Sequence, residues 1–215
     1  MFSVIIPVYQ EEEIINKVIN YLKTIPLALE IIVVDGYKES TISVIKDRGV
    51  IKLKSPVGRA KQMNKGAIVA KGETLLFLHA DTLIPKDAFT LIAASKVGAF
   101  KLRFNTHNLW FRFLAFATNL RVTLTKIPYG DQAIFIRKNY FEKLGGFKDI
   151  LIMEDVDLMQ RVKQDAGKIK IIPKPVTTSV RRWQEKGVIL TTLKNNIIRI
   201  LYFCGVSPEV LAKIY

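Results

Sequence analysis

The chain of 215 residues is predicted to adopt an α/β fold in which helices flank a mostly parallel central sheet. Two observations lead to this class. Short apolar runs that suit strands buried on both faces recur from residue 2 to residue 78. Segments with the apolar spacing of helices separate these runs. Because strands that alternate with helices pair in parallel through crossover connections, we expect one α/β domain over residues 1–215 with a sizeable core.

The first hundred residues carry the clearer alternation. The run at Phe2–Val8 is followed by acids at 11–13, which suit the first turn of a helix because its N-terminal end favours negative charge. Ile14, Val18 and Leu22 then recur with helical spacing. We predict strands at Phe2–Val8, Glu30–Asp35, Val50–Leu53 and Glu73–Leu78, and helices at Ile14–Ile25, Ser40–Asp47 and Gly58–Ala70.

The alternation is looser after residue 100. Gly145 and Gly146 are expected to end a short helix, because glycine is common just past a helix terminus. We predict helices at His107–Thr123, Asn139–Leu144 and Glu154–Gln164, a basic helical region at Gln184–Phe203, and strands at Gly130–Arg137, Lys168–Ile172 and Val176–Arg181. No repeat, low-complexity segment or long linker divides the chain.

Composition excludes several classes of protein. The single cysteine, Cys204, leaves no disulfide framework and no cysteine zinc site, which fits a reducing, cytoplasmic setting. No uncharged apolar run reaches about 18 residues, so we expect no spanning helix. No signal peptide is evident.

Charge is distributed unevenly along the chain. Residues 1–100 carry a net charge of +3 and residues 101–215 carry +11, out of +14 in total. A basic half could meet nucleic acid, an anionic membrane surface or phosphorylated substrates, or could simply keep the surface soluble.

One apolar run ends in the residues Leu78-His79-Ala80-Asp81. Ligands of open α/β sheets bind outside the carboxyl ends of the strands, and right-handed crossovers would place Tyr9, Asp35 and Asp81 along one such edge. A metal or phosphate site is one interpretation of Asp81. Capping of the next turn or helix is the other, and the segment alone does not choose between them.

Seven short motifs follow one another in a characteristic order. They are Val4-Ile5-Ile6-Pro7-Val8-Tyr9, Ile32-Val33-Val34-Asp35-Gly36, the segment Gly58 to Ala67, His79-Ala80-Asp81, Gly145-Gly146-Phe147, Glu154-Asp155-Val156-Asp157-Leu158 and Arg181-Arg182-Trp183. This order, from about residue 2 to about residue 185, closely resembles the family 2 glycosyltransferases of GT-A fold. Gly130-Asp131-Gln132 and the run at 78–82 are similar to a small bacterial and archaeal subgroup of soluble, single-domain members.

The resemblance implies inverting transfer of a sugar from a nucleotide-diphosphate sugar to an acceptor hydroxyl or phosphate. It implies a nucleotide-sugar-binding half at 1–100, an acceptor and catalytic half at 101–185 and a C-terminal helical region at 186–215. The donor-binding residues would be Pro7, Val8, Tyr9, Glu11, Asp35, Arg59, Asn64, Ala80 and Asp81.

The resemblance also implies a divalent metal, Mn²⁺ or Mg²⁺, held by Asp81 in a DXD-like motif. His79 stands where the first acid of that motif is expected, and it is a candidate second ligand because imidazole suits manganese better than magnesium. The general base of the family is the second acid of its Glu-Asp pair, which would be Asp155 beside Glu154. Stabilisation of a helix N-terminus is the alternative for this pair.

Candidate acceptor or phosphate contacts are Asp131, Gln132, Arg182 and Trp183. The alternative for Asp131 and Gln132 is hydrogen bonding within a turn. For Arg182 it is plain surface charge, and for Trp183 it is an anchor in the core.

Two other functions stay open at this point. One is a non-catalytic module that binds nucleotide sugars or polyanions. The other is a nucleotidyltransferase, which normally places a glycine-rich loop with a basic residue after the first strand, where this chain has Pro7-Val8-Tyr9. No nucleic-acid-binding motif accompanies the basic residues, so nucleic acid is not an expected partner.

Two amphipathic segments suggest peripheral association with the inner face of an anionic membrane, which a lipid-linked acceptor would explain. One segment carries Trp110, Phe111, Phe113, Leu114 and Phe116 with Arg112 and Arg121, and the other carries Ile189, Leu193, Ile197, Ile200 and Leu201 with Lys194 and Arg199. The alternative is that both apolar stripes pack on the sheet as core.

Overall fold

The computed structural model describes residues 1–165, 167–181, 183 and 187–214, and within these ranges the strands form one eight-stranded sheet. The strands are β1 (Phe2–Val8), β2 (Leu29–Asp35), β3 (Ile51–Lys54), β4 (Thr74–Phe77), β5 (Thr82–Leu83), β6 (Val97–Phe104), β7 (Phe135–Arg137) and β8 (Lys170–Thr178). The helices are α1 (Ile15–Lys23), α2 (Ser40–Ser43), α3 (Arg59–Val69), α4 (Ala88–Ile92), α5 (Leu109–Thr125), α6 (Lys138–Lys143), α7 (Glu154–Gln164), α8 (Val188–Phe203) and α9 (Pro208–Ile214). The strand order is β3-β2-β1-β4-β7-β6-β8-β5, which confirms the α/β class.

The first half of the sheet is parallel, as predicted. β1 pairs with β2 and β4, and β2 pairs with β3. Val8 is the register partner of Asp35, so the carboxyl ends of β1 and β2 meet at one edge. Val4 and Ile6 pack in one core cluster while Ile5 packs in another. This burial on both faces explains why the run is continuously apolar rather than alternating.

The second half of the sheet differs from the prediction. β7 is antiparallel to both β4 and β6, while β6 and β8 are parallel. The predicted strand at Gly130–Arg137 begins with a 3₁₀ turn at Gly130–Gln132, and only Phe135–Arg137 is extended. The two predicted strands after residue 168 are one strand, β8. Its two prolines lie around a register shift opposite Phe100 and Lys101, where irregular pairing tolerates them.

Helix α5 covers the side of β6 that extends beyond its short pairing with β7. The side-chain amide of Asn119 donates to the carbonyl of Leu102 at 2.9 Å and accepts from its N–H at 2.8 Å. The buried residues of the helix are Phe111, Ala115 and Val122. Trp110, Phe113 and Phe116 are exposed, whereas Phe111 and Leu114 pack on the core, so only part of the apolar stripe predicted from the sequence faces the sheet.

Helix α8 leaves much of its apolar surface uncovered. Ile198 is buried with Ile152 and Leu211 in a small third cluster, whereas Leu193 and Ile197 are exposed. The predicted start of this helical region and the side chain of Ile189 lie outside the described residues. In the part of the chain that the structure describes, every helix is too short or too polar to cross a bilayer.

Candidate functional site

The turn after β2 is organised by Asp35, which is almost fully buried. Its carboxylate accepts hydrogen bonds from the backbone N–H groups of Tyr37 (2.7 Å), Thr41 (2.8 Å) and Ile42 (3.1 Å). These bonds satisfy donors at the start of α2. A contact from Asp35 to a nucleotide base would therefore have to share oxygens that the turn already uses.

Gln62 shapes the same edge, and sequence reasoning missed it. Its buried amide nitrogen donates to the carbonyls of Val8 and Val34, each at 2.8 Å. A Cβ added to Gly36 would lie 2.9 Å from this side chain, so the glycine makes room for the amide. Its burial could have been predicted, because Gln62 stands four residues before Gly66 and so shares the buried face of α3.

An aromatic pair and an ion pair lie beyond the end of β1. The rings of Tyr9 and Tyr37 are 4.8 Å apart between centroids, and Tyr9 is 47% exposed. Arg181, after β8, donates to Glu11 at 2.5 Å. Burial raises the pKa of the Glu11 carboxyl, and the charge of Asp81 adds to that effect. Residues from both halves of the chain therefore meet at this end of the sheet.

Asp81 lies in the loop between β4 and β5. Its Oδ1 accepts hydrogen bonds from the hydroxyls of Thr82 (3.2 Å) and Thr178 (3.5 Å). Burial raises the pKa of the Asp81 carboxyl despite these bonds. His79 precedes it in the same loop, so the predicted pair of polar residues does follow the strand.

Gly130 is the point where the two halves of the site meet. A Cβ added to it would lie 3.1 Å from Nε2 of His79 and 3.3 Å from Oδ2 of Asp155. The Gly130 N–H donates to Asp155 Oδ2 at 2.5 Å, while Asp155 Oδ1 accepts from the N–H of Val156 at 2.7 Å. Asp155 therefore serves the N-terminus of α7 and faces the site at the same time.

Glu154 points in a different direction from Asp155. It is buried, and its Oε1 lies 3.1 Å from Nε of Arg59. Burial raises the pKa of Glu154, while the charge of Glu154 raises the pKa of Arg59. Arg59 therefore neutralises Glu154 and also lies within electrostatic reach of Asp155 and Asp131.

Asp131 has a strongly perturbed carboxyl group. Its Oδ1 is buried and has no hydrogen-bond partner among the described residues. Burial, followed by the charge of Asp155, raises the pKa of Asp131 to about 6. A buried oxygen without a donor is the kind of atom that a ligand, a water or a metal ion satisfies.

Three other predicted site residues serve the framework. Gln132 is completely buried, and its amide bonds to the backbone of β6 and of its own turn. The Asn64 amide donates to the carbonyl of Phe147 at 2.7 Å and accepts from its N–H at 2.9 Å. Trp183 packs edge-on against aromatic rings of β6 and α5. Pro7 and Val8 end β1, and Ala80 is buried in the loop after β4. Arg182 lies outside the described residues.

The donor atoms fit a divalent cation in part. Asp81 offers a carboxylate, His79 offers an imidazole and Asp131 offers an unsatisfied oxygen. Oxygen together with imidazole nitrogen suits manganese. Within the described ranges no group of three or more histidines, cysteines and acids is arranged to hold a metal by itself. Substrate oxygens and water would have to complete the coordination shell.

The sheet order and the acid-lined strand edge define a GT-A glycosyltransferase fold. Residues 3–96 match the sequence model of "Glycosyl transferase family 2". A comparison with curated proteins gave no significant match.

Solved structures with the same fold are distant in sequence. The structure of Staphylococcus aureus TarS residues 1–349 is 20% identical, with a TM-score of 0.65 over 83% of this chain and 60% of that one. The mannosyltransferase PcManGT from Pyrobaculum calidifontis, in complex with GDP-Man and Mn²⁺, is 22% identical, with a TM-score of 0.63 over 83% and 56%. Glucosyl-3-phosphoglycerate synthase from Mycobacterium tuberculosis, with Mn²⁺, UDP and glucosyl-3-phosphoglycerate, is 16% identical, with a TM-score of 0.59 over 83% and 70%. The chain thus spans less than two thirds of the first two proteins.

Proposed function

We propose that this protein transfers a sugar from a nucleotide-diphosphate sugar to an acceptor. The observation that carries the proposal is the meeting of His79 and Asp155 at Gly130, beside the carboxyl ends of the parallel strands. Sugar nucleotides bind to similar folds, since the structures of PcManGT and of the mycobacterial synthase hold GDP-Man and UDP, each with Mn²⁺.

In the proposed reaction Asp155 acts as the general base. The acceptor O–H gives its proton to Asp155 as its oxygen bonds to the anomeric carbon, and the bond from that carbon to the diphosphate oxygen breaks with its electron pair. Attack from the face opposite the leaving group inverts the anomeric centre. The N–H of Gly130 donates a hydrogen bond to the Asp155 carboxylate and so helps to hold it in position.

Positive charge is needed where the diphosphate leaves. Arg59 is the nearby guanidinium, and Glu154 holds it in place through their ion pair. A divalent cation held by Asp81, with His79 as a further candidate ligand, would neutralise charge on the leaving diphosphate when bound. Tyr9 and Glu11 are proposed to contact the nucleoside part of the donor, since both lie at the end of β1.

The proposal is tested by thermal denaturation with UDP, GDP and their sugar conjugates, each with and without Mn²⁺. A ligand at 100 times its dissociation constant adds about 2.7 kcal/mol to the free energy of unfolding. We expect sugar nucleotides to increase the free energy of unfolding only when Mn²⁺ is present, and we expect Asp81→Ala to abolish this increase. Asp87→Ala changes an exposed acid and should retain it. No stabilisation by any sugar nucleotide would contradict the proposal. Release of free sugar from the stabilising donor would separate an enzyme from a non-catalytic binding module.

The acceptor is proposed to be presented at an anionic membrane surface. Phe113 and Phe116 of α5 and Leu193 of α8 are 59%, 64% and 56% exposed, so these side chains do not form core. Arg112 and Lys194 stand among them, and residues 101–215 carry +11. Each basic residue near an anionic bilayer adds about 1 kcal/mol of attraction, while the apolar rings insert among the headgroups.

A further inference from the structure

A groove lies between helix α5 and the outward face of β6 and β8. Its volume is about 770 Å³, which is in the range of sites that enclose small ligands. The described residues that line it come from these three elements and from the loop at 105–107, and they include no aspartate and no glutamate. The chemistry proposed for sugar transfer uses none of them, so the groove calls for an explanation of its own.

The floor of the groove follows from the alternation of side chains along β6. Leu102 and Phe104 are buried in the core, whereas Lys101 is half-buried and Arg103 is exposed on the opposite face. Residues two apart on a strand share a face and lie about 6.6–6.8 Å apart along it. Lys101 and Arg103 therefore present two positive charges to the groove at the spacing of alternate strand residues.

The guanidinium group of Arg103 is held in position by the neighbouring strand. Its Nη2 donates to the hydroxyl of Thr177 on β8 at 3.0 Å. A guanidinium has five N–H donors in a planar fork, so further donors are available to a carboxylate, which such a fork binds with two parallel hydrogen bonds. Pro173 and Pro175 also line the groove and add apolar surface beside these donors.

The charge in the groove is unbalanced. Arg112 of α5 lines it as a third cation. In the ranges that the structure describes, no carboxylate lies within 4.0 Å of Lys101, Arg103 or Arg112. Like charges that face one cavity repel each other, and an anion bound between them removes that repulsion. The groove is therefore complementary to a ligand that carries several negative charges.

The spacing of the cations indicates what kind of anion fits. An extended polypeptide also presents every second side chain on one face, with the same repeat distance as a strand. Carboxylates two residues apart in a bound segment therefore match Lys101 and Arg103. Clusters of basic side chains are a recurring means of recognising acidic peptide motifs.

We propose that this groove binds an extended acidic segment of a partner protein, in which acidic residues alternate with small or apolar ones. Two acidic side chains of the segment contact Lys101 and Arg103, and a third contacts Arg112. The prolines of β8 pack against the segment between these charges. Such a segment attaches the protein to its partner without occupying the candidate site, because no carboxylate of that site lines the groove.

The test measures binding of three fluorescein-labelled probes by anisotropy at low salt. The first is an eight-residue peptide in which glutamate alternates with threonine, and the second has the same composition with its glutamates in one block. The third is an octamer of deoxythymidine. We expect the alternating peptide to bind most tightly, because all its carboxylates share one face when the chain is extended.

Substitutions in the groove should weaken binding of the alternating peptide. Arg103→Gln should weaken it about 5–20-fold, as expected for a charge-assisted hydrogen bond that is partly exposed. Lys101→Gln removes a single point charge and should weaken it about 2–5-fold. Arg48→Gln is the control, since it removes the same charge from an exposed position outside the groove and should change the affinity less than about twofold.

Four results would overturn the proposal. The first is absence of wild-type binding to the alternating peptide at low salt. The second is equal affinity for the alternating and the block peptide, which would exclude the extended register. The third is an equal loss of affinity in Arg103→Gln and Arg48→Gln, which would show attraction to the overall charge rather than to the groove. The fourth is tighter binding of the deoxythymidine octamer, which would make the groove a nucleic-acid site.

Two further measurements on the same variants separate this groove from the other sites. Stabilisation by sugar nucleotides with Mn²⁺ should be retained in Arg103→Gln and Lys101→Gln, so failure of the groove and failure of the donor site are distinguishable. Binding to anionic vesicles should be retained as well. Its loss in both variants would assign these cations to the membrane surface and overturn the acidic segment.

Discussion

The two sides of the site differ in how completely their polar groups are satisfied. On the side of β1 and β2, Asp35 accepts three backbone hydrogen bonds and Gln62 donates two. On the side of the 3₁₀ turn, Asp131 Oδ1 and the Tyr129 hydroxyl are buried without partners among the described residues. The polar groups of the first side are satisfied within the protein, whereas the second side leaves buried polar atoms that a ligand or water would satisfy. Substitutions on the first side should therefore reduce stability, and those on the second should mainly change function.

The largest expected effect is on catalysis, from Asp155→Asn. Loss of a general base should lower the rate of sugar transfer about 10²–10⁴-fold and leave donor binding nearly intact, because asparagine has nearly the same shape and keeps one oxygen that accepts a backbone N–H. Transfer is measured as release of nucleoside diphosphate at saturating donor. Asp149→Asn, at an exposed acid, is the control. A wild-type rate in Asp155→Asn would show that another group takes the proton.

A change on the framework side should instead reduce stability. Gln62→Leu leaves the carbonyls of Val8 and Val34 without their side-chain donor in a buried place, at a cost of about 2 kcal/mol in the free energy of unfolding. Urea denaturation followed by circular dichroism measures it. Gln10→Leu, at an exposed position next to β1, should be neutral. If Gln62→Leu unfolds at the same urea concentration as the wild type, the hydrogen bonds of Gln62 do not stabilise this side of the site.

On the side of the 3₁₀ turn, a substitution is expected to increase the free energy of unfolding. Because the folded-state pKa of Asp131 is about 6, above its ordinary value, the native state binds the proton more tightly than the unfolded state. Stability from this group is full below about pH 4 and falls as pH rises through 6. Asp131→Asn should therefore stabilise the protein by about 1–2 kcal/mol at pH 7.5 and by almost nothing at pH 4.

Urea denaturation at the two pH values, in the presence of EDTA, measures this difference. Asp149→Asn should show no such dependence on pH. A stabilisation by Asp131→Asn that is equal at both pH values would contradict the assignment of the proton to Asp131.

The smallest effect on stability is expected where apolar side chains face solvent. The double variant Phe113→Ser and Phe116→Ser should change the free energy of unfolding by less than about 0.5 kcal/mol, as surface substitutions usually do. The same variant should lose binding to vesicles of phosphatidylcholine and phosphatidylglycerol at low salt. Co-sedimentation measures this, with pure phosphatidylcholine as the control. Absence of wild-type binding at low salt would exclude the membrane surface.

The parallel half of the fold could be predicted because its strands are buried on both faces and so appear as uninterrupted apolar runs. β6 could not, since it is buried at one end and carries the exposed Arg103 near the other. The buried face of α5 was obscured for a related reason. Apolar residues surround this helix, so spacing alone does not separate Phe111, which packs, from Phe113, which does not.

The candidate site was predictable where it follows strands or begins a helix. His79, Asp81 and Asp155 lie where the motifs place them. Gly130 was noticed only as part of a motif. Its importance lies in the absent side chain, which leaves room for both His79 and Asp155 beside the turn.

The two carboxamides beside β6 have a consequence for the behaviour of the chain at high concentration. β6 pairs with β7 only at Val97 and Gly98, and beyond that point Gln132 bonds to Phe100 while Asn119 bonds to both backbone groups of Leu102. These side chains act as a surrogate strand along an otherwise open edge. Open edges recruit strands from other molecules. Here α5 and its Asn119 close that edge together, so loss of Asn119 would weaken the closure.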